Sequence, residues 1–542
     1  MAPATATKTE YEPIIGLETH CQLNTKTKIF SPVSTEFGAP PNTNISPICL
    51  GYPGVLPVLN EKVLEYAVKA GVALNCEIAP YSKFDRKQYF YADLPKNYQI
   101  SQYDLPIAEH GSLEIELVDK KTKKGTKKKI GITRLHMEED AGKLVHAGSD
   151  RLAGSAYSLV DFNRAGVPLL EIVSEPDIRT GEEAAEYGQE LRRIVRYLGI
   201  SDGNMQEGSL RCDVNVSVRP VGQEKFGVKV EIKNMNSFSA IHKAIDYEIQ
   251  RQIEALENGE PIVQETRLWE EGSQRTISMR SKEGSSDYRY FPEPDLPPIE
   301  LSSQQLAAWK SELPELAAAK RQRYQTEYGL SAYDARVLTD DREIAEYFEA
   351  AVGERSRTAV GERSRTAVGE RSRTAVGERS RTAVGERSRT AVGERSRTAV
   401  AAKANPKQVA NWLTQDIAAY LNNNKLKVTE IALTADILAE LVNLISEGTI
   451  SGKIGKEILP ELLTKGGSAR ELVEKKGLVQ ISDADALGKI IDEVIEAHPE
   501  ELEKYRNGKT KLKGFFVGQV MKKSGGRADP KLTNQLLSQK LG

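Results

Sequence analysis

Polar and apolar positions change period several times along the first 300 or so residues. From Ile14 to Leu23 they alternate, with Leu17, Thr19, Cys21 and Leu23 on one side and Glu18, His20 and Gln22 on the other. Successive side chains of a strand point to opposite faces, so this segment predicts a strand with one apolar and one polar face. Leu210–Val218 repeats the pattern: Leu210, Cys212, Val214, Val216 and Val218 oppose Arg211, Asp213, Asn215 and Ser217. Beyond the turn-forming Pro220-Val221-Gly222-Gln223-Glu224, Val228, Val230 and Ile232 alternate with Lys229, Glu231 and Lys233, which predicts a hairpin with a charged face. Helical spacing interrupts the strands at Glu61–Leu74, Gly181–Leu198 and Ser239–Glu257, the last with Ile241, Ala244, Ile245 and Ile249 on one stripe. After Pro292, Pro294, Pro297 and Pro298 the alternation gives way to helical patterns rich in Ala, Leu, Glu and Lys. The expected fold class is α+β: an antiparallel sheet with one wet face, then an all-α middle region and an all-α tail.

Length and charge refine this picture. A chain of 542 residues exceeds what one core supports, and the composition shifts divide it into 1–298, 299–428 and 429–542. A formal net charge of −2 means that any nucleic-acid contact rests on local basic patches rather than a global field. Cys21, Cys49, Cys76 and Cys212 are widely spaced and form no C-x-x-C pair, which argues against a structural zinc site and thioredoxin chemistry. No apolar run is long enough to span a bilayer, and Met1–Tyr11 lacks an apolar signal core, so a cytoplasmic protein with no membrane contact is expected.

The octapeptide Gly-Glu-Arg-Ser-Arg-Thr-Ala-Val occurs six times without variation from Gly353 to Val400. One Val and one Ala per octad bury too little to offset the entropy of ordering, and eight residues match no stacking repeat unit. The block reads as an insertion into the middle region, disordered or loosely helical, with a basic RNA-contacting arm as the other reading.

Chemistry concentrates on the polar strand faces. Glu18 and His20 are neighbours on one of them, Arg211 and Asp213 on a second, Glu231 and Lys233 on a third. Three consecutive carboxylates, Glu138, Glu139 and Asp140, stand at a strand end, and alternation does not say which of them joins the others. Clustered carboxylates repel unless a cation shares them, and oxygen ligands with an occasional His suit Mg²⁺ or Mn²⁺. Spacing leaves a metal-phosphate site and a solvated sheet face both open. No G-x-x-x-x-G-K-[ST], G-x-G-x-x-G or G-x-S-x-G pattern occurs, so ATP, if bound, is held by metals and basic side chains on a sheet. Arg86–Gln99 interleaves aromatic and basic residues, and Lys120–Lys129 carries seven lysines. Either stretch suits RNA, or a self-packed loop and a solvated hairpin tip.

Several stretches together resemble the B subunit of the GatCAB amidotransferases: Gly16–His20, Arg86–Gln102, Arg134–Lys143, Leu159–Asp177, Met205–Arg219, Glu231–Phe238 and Gln264–Asp295, with Asn411-Trp412-Leu413 and Gly518–Lys522 further on. The resemblance implies a glutamine-synthetase-like catalytic domain over 1–298, a helical domain over 299–428 interrupted at 353–400, and a tRNA-binding tail over 429–542. It implies a carbon–nitrogen ligase that uses ATP to phosphorylate the side-chain carboxylate of Glu-tRNA(Gln) or Asp-tRNA(Asn). Amidation then follows with ammonia from the glutaminase GatA, while the small GatC protein holds the heterotrimer together. It further implies Mg²⁺ held by Glu18, His20, Glu139 and Glu231. Glu138, Arg211, Asp213 and Lys233 stand by as metal, phosphate or acyl-group contacts, Lys233 and Arg211 for phosphoryl charge. In the tail, Lys509, Lys511, Lys513, Lys522, Lys523, Arg527 and Lys531 gather around glycines that let backbone approach phosphates.

Overall fold

The computed structural model describes residues 9–118, 125–147, 156–281, 288–353, 404–481 and 483–542. All but the first residue of the octapeptide block, and the 119–124 end of the lysine-rich tract, lie outside them. The chain divides into two compact units, Met1–Ala317 and Ala318–Gly542.

The first unit is built on a nine-stranded sheet. Its strands are β1 (Tyr11–Gln22), β2 (Glu77–Ile78), β3 (Ala108–Val118), β4 (Gly125–Glu139), β5 (Pro168–Ser174), β6 (Leu210–Pro220), β7 (Val230–Met235), β8 (Glu265–Glu270) and β9 (Arg275–Ser281). Their order across the sheet is β9-β8-β7-β6-β1-β5-β4-β3-β2. The alternating first strand is therefore central, antiparallel to β5 on one side and β6 on the other. The expected β6–β7 hairpin forms, and its ladder slips by one residue where Asn234 takes φ 70, a bulge immediately after Lys233. One pairing departs from the antiparallel expectation. β7 and β8 run parallel, because the chain between them is the helix Phe238–Glu257 rather than a tight turn, and parallel strands require such a crossover.

The three helices expected from apolar spacing are present as α1 (Glu61–Ala73), α2 (Gly181–Leu198) and α3 (Phe238–Glu257). The hydroxyls of Thr180 and Ser237 accept the Glu183 and Ala240 N–H groups and so start α2 and α3, and Gly199 at φ 70 ends α2. All three contribute to one core with the sheet: Val63, Ala67, Tyr187, Leu191, Ile241 and Ile245 pack with Leu17, Cys21, Leu170, Cys212, Val214 and Ile232. Helices cover the apolar face, so the opposite face of the sheet carries the polar positions.

The second unit is helical and holds two apolar clusters, one running from Tyr324 to Val473 and one from Leu487 to Leu541. The segment 429–542 supplies helices to both. The helix Arg342–Ala351 stops at Gly353 (φ 81), whose N–H bonds to Ala350, and the chain resumes with buried Ala404 and a helix whose N-cap Asn405 accepts the Gln408 N–H. Val352 and Ala404 belong to the same core. The described residues on either side of the octapeptide block thus carry ordinary helix caps. Among the described residues, no helix is long and apolar enough to cross a membrane.

Removal of three of the six octads, Gly353–Val376, keeps a glycine at the cap position. A segment outside the core contributes only closure entropy, and halving it changes that by roughly 0.6 kcal/mol. The melting temperature of the shortened chain is expected to stay within ~3 °C of the parent. A fall well beyond that would show that the octads are part of the core.

Candidate active site

Strand register lines up side chains on the polar face. His136 of β4 lies opposite Glu171 of β5, Glu171 opposite His20 of β1, and His20 opposite Arg211 of β6. On one side of this row stands Glu138, and on the other Glu18 lies opposite Asp213. His20 Nε2 is 3.3 Å from Glu171 Oε2 and 3.8 Å from Glu138 Oε1. His136 Nε2 reaches the same two carboxylates at 3.5 and 3.6 Å. His20, Glu138 and Glu171 each present a ligand atom, all within 4.8 Å of one another. Glu138 and Glu171 are only 2% and 7% exposed, so the group is a buried centre and not a solvated rim.

Two buried carboxylates side by side need compensation. Burial and their mutual repulsion push the Glu138 carboxyl up, but His136 and Lys87 outweigh both and hold it below the ordinary range. Burial likewise opposes ionisation of Glu171, and His136, His20 and Lys87 pull it well down. Burial alone would lower His20, yet the hydrogen bond and charge of Glu171, with Glu138 and Asp213, raise it above 6.5. Lys87 is propped over the Tyr288 ring, 5.1 Å from its centroid, and the charges of Glu138 and Glu171 offset the burial that would otherwise discharge it. The centre is therefore a charge-balanced cluster of acids and cations.

A second cluster forms beside it on β1, β6 and β7. Asn215 Nδ2 donates to Glu18 Oε1 at 2.9 Å, Lys233 pairs with Asp213, Lys233 Nζ lies 3.2 Å from Glu231 Oε1, and Thr266 Oγ1 donates to Glu231 Oε2 at 2.8 Å. Arg211 Nη2 donates to Asp140 Oδ2 at 2.8 Å, an oxygen that also accepts from Gln22 Nε2 at 2.6 Å.

Of the residues expected as metal ligands, His20 sits in the three-residue centre, while Glu18 and Glu231 belong to the second cluster. Glu139 is brought to neither. Its carboxylate pairs with Lys96 and accepts the Ile100 N–H at 2.9 Å, because strand parity turns it away from Glu138 and Asp140. Glu138 takes its place, and Glu171 joins although nothing in the sequence pattern singles it out. Arg86, in the aromatic stretch, is engaged structurally: it forms two bonds to Glu293, at 2.7 and 2.8 Å, and lies over the Tyr98 ring.

Comparison with known proteins gives this arrangement a family. Residues 13–307 match the model of the GatB/GatE catalytic domain, and 397–541 match that of the GatB domain. The chain is 71% identical to the B component of the aspartyl/glutamyl-tRNA(Asn/Gln) amidotransferase of Gloeothece citriformis and 70% identical to that of Trichodesmium erythraeum, in each case over the whole of both chains. It is 68% identical to the protein of the same name from Synechocystis sp., over 99% of each chain. The chain belongs to the GatB family. The polar face just described falls wholly within the part that matches the GatB/GatE catalytic domain.

The raised value of His20 in this GatB-family chain makes a prediction about the metal-free protein. Its unfolded imidazole titrates at 6.5 and its folded one higher, so its stabilisation is complete below 6.5 and fades as pH rises through the folded value. In EDTA, the melting-temperature gap between the parent and His20→Asn should be widest below pH 6.5 and narrow toward pH 9. A gap that widens with pH would contradict the ion pairing of His20 with Glu171.

Proposed function

We propose that the polar face is a glutamine-synthetase-like surface that binds ATP and Mg²⁺ and phosphorylates the side-chain carboxylate of Glu-tRNA(Gln) or Asp-tRNA(Asn), so that ammonia can displace the phosphate and leave an amide. A free carboxylate resists ammonia because its carbon is electron-rich and oxide is not a viable leaving group. Phosphorylation makes that oxygen a leaving group, and an amidotransferase therefore implies the use of ATP. The observation that carries the proposal is the centre of one imidazole and two carboxylates, His20, Glu138 and Glu171, within 4.8 Å and nearly buried. That donor set suits Mg²⁺ or Mn²⁺. A cation held there supplies charge neutralisation and alignment for the ATP phosphates.

The chain's own side chains have distinct tasks in this reaction. Lys87, held over Tyr288 beside the carboxylates, balances phosphoryl charge. Lys233 and Arg211, 38% and 35% exposed, swing from their present acidic partners toward phosphate oxygens. Glu18, Asp213 and Glu231 form an acidic border that would hold a second cation and supply further charge neutralisation if Lys233 turned to phosphate. Catalysis then rests on positioning and electrostatics. Ammonia comes from the glutaminase GatA, with the small GatC protein completing the heterotrimer. A non-catalytic face that only docks tRNA would gain nothing from buried carboxylates, which repel phosphate.

The test assembles the chain with GatA and GatC and supplies labelled ATP with each misacylated tRNA in turn. Glu138→Gln and Glu171→Gln should abolish tRNA-dependent ADP release and weaken Mn²⁺ binding by at least ~10-fold, measured by calorimetry. Glu139→Gln should leave Mn²⁺ affinity near the parent value, since it removes only the Lys96 pair. Loss of Mn²⁺ affinity in Glu139→Gln with retention in Glu171→Gln would reverse the assignment.

The tail extends the proposal to the tRNA body. Lys509, Lys511, Lys522, Lys523 and Lys531 are exposed around the helix Lys513–Lys523, and Gly525 and Gly526 adopt φ 62 and 79 beside Arg527. Lys513 and Arg527 are half-buried at its edge. Each phosphate contact adds a salt-dependent increment through counterion release. Truncation after about Gln480, which removes the Leu487–Leu541 cluster with these basic residues and leaves the Tyr324–Val473 cluster whole, should weaken tRNA binding and flatten its salt dependence, while amidation persists at high tRNA concentration. Equal affinity at several salt concentrations would remove the tail from RNA binding.

A further inference from the structure

Behind the strand end that carries Glu139, a small cleft is lined by Lys28, Ser31, Cys49, Lys96 and Glu139. Two of these side chains, Lys28 and Cys49, have no task in the proposed reaction. Lys28 has no solvent exposure. Its Nζ donates to the backbone carbonyls of Ala165 at 2.6 Å and Asn44 at 2.7 Å, and the third position around the nitrogen is filled by Cys49 Sγ at 3.6 Å. The sulfur sits on the short helical turn Pro47–Leu50. It also accepts from the Ser46 hydroxyl at 3.3 Å and has the Ser31 hydroxyl at 3.4 Å. Two hydroxyls and an amine thus converge on one sulfur, the kind of surrounding in which reactive cysteines are found.

The other three cysteines lack such surroundings. Cys21, Cys76 and Cys212 have thiols pushed up to about 12, in each case chiefly by burial. Cys21 bonds to the Gln22 carbonyl at 3.8 Å and to the Ser201 side chain, Cys76 to the Leu74 carbonyl at 3.8 Å, and Cys212 has the Thr19 hydroxyl at 3.7 Å. None of these contacts brings a cation to the sulfur. Lys28 is lowered by burial against the opposing charges of Cys49 and Glu139, so its free amine, a nucleophile, is within reach.

We propose that Cys49 and Lys28 form a peroxide-responsive pair that closes reversibly into a sulfur–nitrogen cross-link. The Cys49 thiolate attacks one oxygen of hydrogen peroxide, the O–O bond breaks, and hydroxide leaves as water with a proton from the Lys28 ammonium. The resulting sulfenic acid meets the neutral Lys28 amine. Nζ attacks sulfur, the S–O bond breaks, and hydroxide takes a second lysine proton and departs as water. Thiolate, ammonium and one peroxide give a Cys–S–NH–Lys bond and two waters, with sulfur oxidised by two electrons and peroxide reduced by two. The lysine stem supplies the travel, and a thiol reductant reverses the bond. The cross-link also bears on the strand that holds Glu138, since Gly51, two residues beyond Cys49, is packed so closely on Lys96 that a Cβ there would lie 2.5 Å from Lys96 Cγ, and Lys96 grips Glu139.

The experiment uses the assembled amidotransferase, treated with hydrogen peroxide, alkylated under denaturing conditions and mapped by mass spectrometry. The expected product is a peptide pair joined at Lys28 and Cys49, lighter by two hydrogens than the sum of its parts and separated again by dithiothreitol. Cys21, Cys76 and Cys212 should remain alkylatable. In Lys28→Arg, which keeps the charge without a comparably nucleophilic amine, no joined pair should form and Cys49 should run on to its sulfinic acid. An unmodified Cys49 in the parent, its direct passage to sulfinic acid without a joined pair, or prior oxidation of Cys76 would overturn the proposal. These parent measurements decide the matter even where the variant fails to fold.

Discussion

Two carboxylates, Glu138 and Glu171, are buried beside one imidazole at the middle of a sheet, and much of the catalytic unit is arranged around that cost. An unpaired buried charge is prohibitive, so the group survives only while His20, His136 and Lys87 hold it in balance. These groups reach the centre by two routes. The histidines come by register within the large sheet, and the lysine comes from a separate short strand, Asp85–Gln88, where it lies over the Tyr288 ring. These groups neutralise the carboxylates from within the chain, so burial of the acidic pair is compensated by the protein's own side chains.

Much of this arrangement was legible in the chain itself. Alternation across Ile14–Leu23 and Leu210–Val218 located the central strands and put Glu18, His20, Arg211 and Asp213 on one face. The choice among Glu138, Glu139 and Asp140 was not legible, for a specific reason. In β4 the buried apolar positions are Ile130 and Ile132, then Leu135 and Met137, so the parity changes between Ile132 and Arg134, where the ladder to β5 is irregular. A bulge flips every later side chain to the other face, and Thr133 carries no sign of it. Leu135 and Met137 were a usable signal, since they assign Glu139 to the apolar side and Glu138 to the polar side. Glu171 was harder to see, because Pro168–Ser174 is an apolar run in which one acid looks like an exception. Its meaning depends on neighbours 151 and 35 residues away, which only register supplies.

The parallel β7–β8 pair was illegible for a related cause. Periodicity identifies α3 as a helix but does not say on which side of the sheet the chain returns. Two strands flanking a helix of this length are compatible with antiparallel return by a long loop or with a crossover, and packing of Ile241 and Ile245 onto the apolar face selects the crossover.

The central place of β1 has a consequence for how the chain is made. Among the described residues, Tyr11–Gln22 is made well before its two hydrogen-bonded neighbours, Pro168–Ser174 and Leu210–Pro220. Synthesis at roughly 5–20 residues per second leaves this strand without its lateral partners for about 10–40 s. During that interval it presents two open edges and an apolar row of Ile15, Leu17 and Cys21, the features that invite mispairing with another nascent chain. Glu18, His20 and Gln22 give the strand one polar face, so only the other face is apolar while it waits. The side chains that line the polar face of the finished sheet thereby help keep this segment soluble before its neighbours exist.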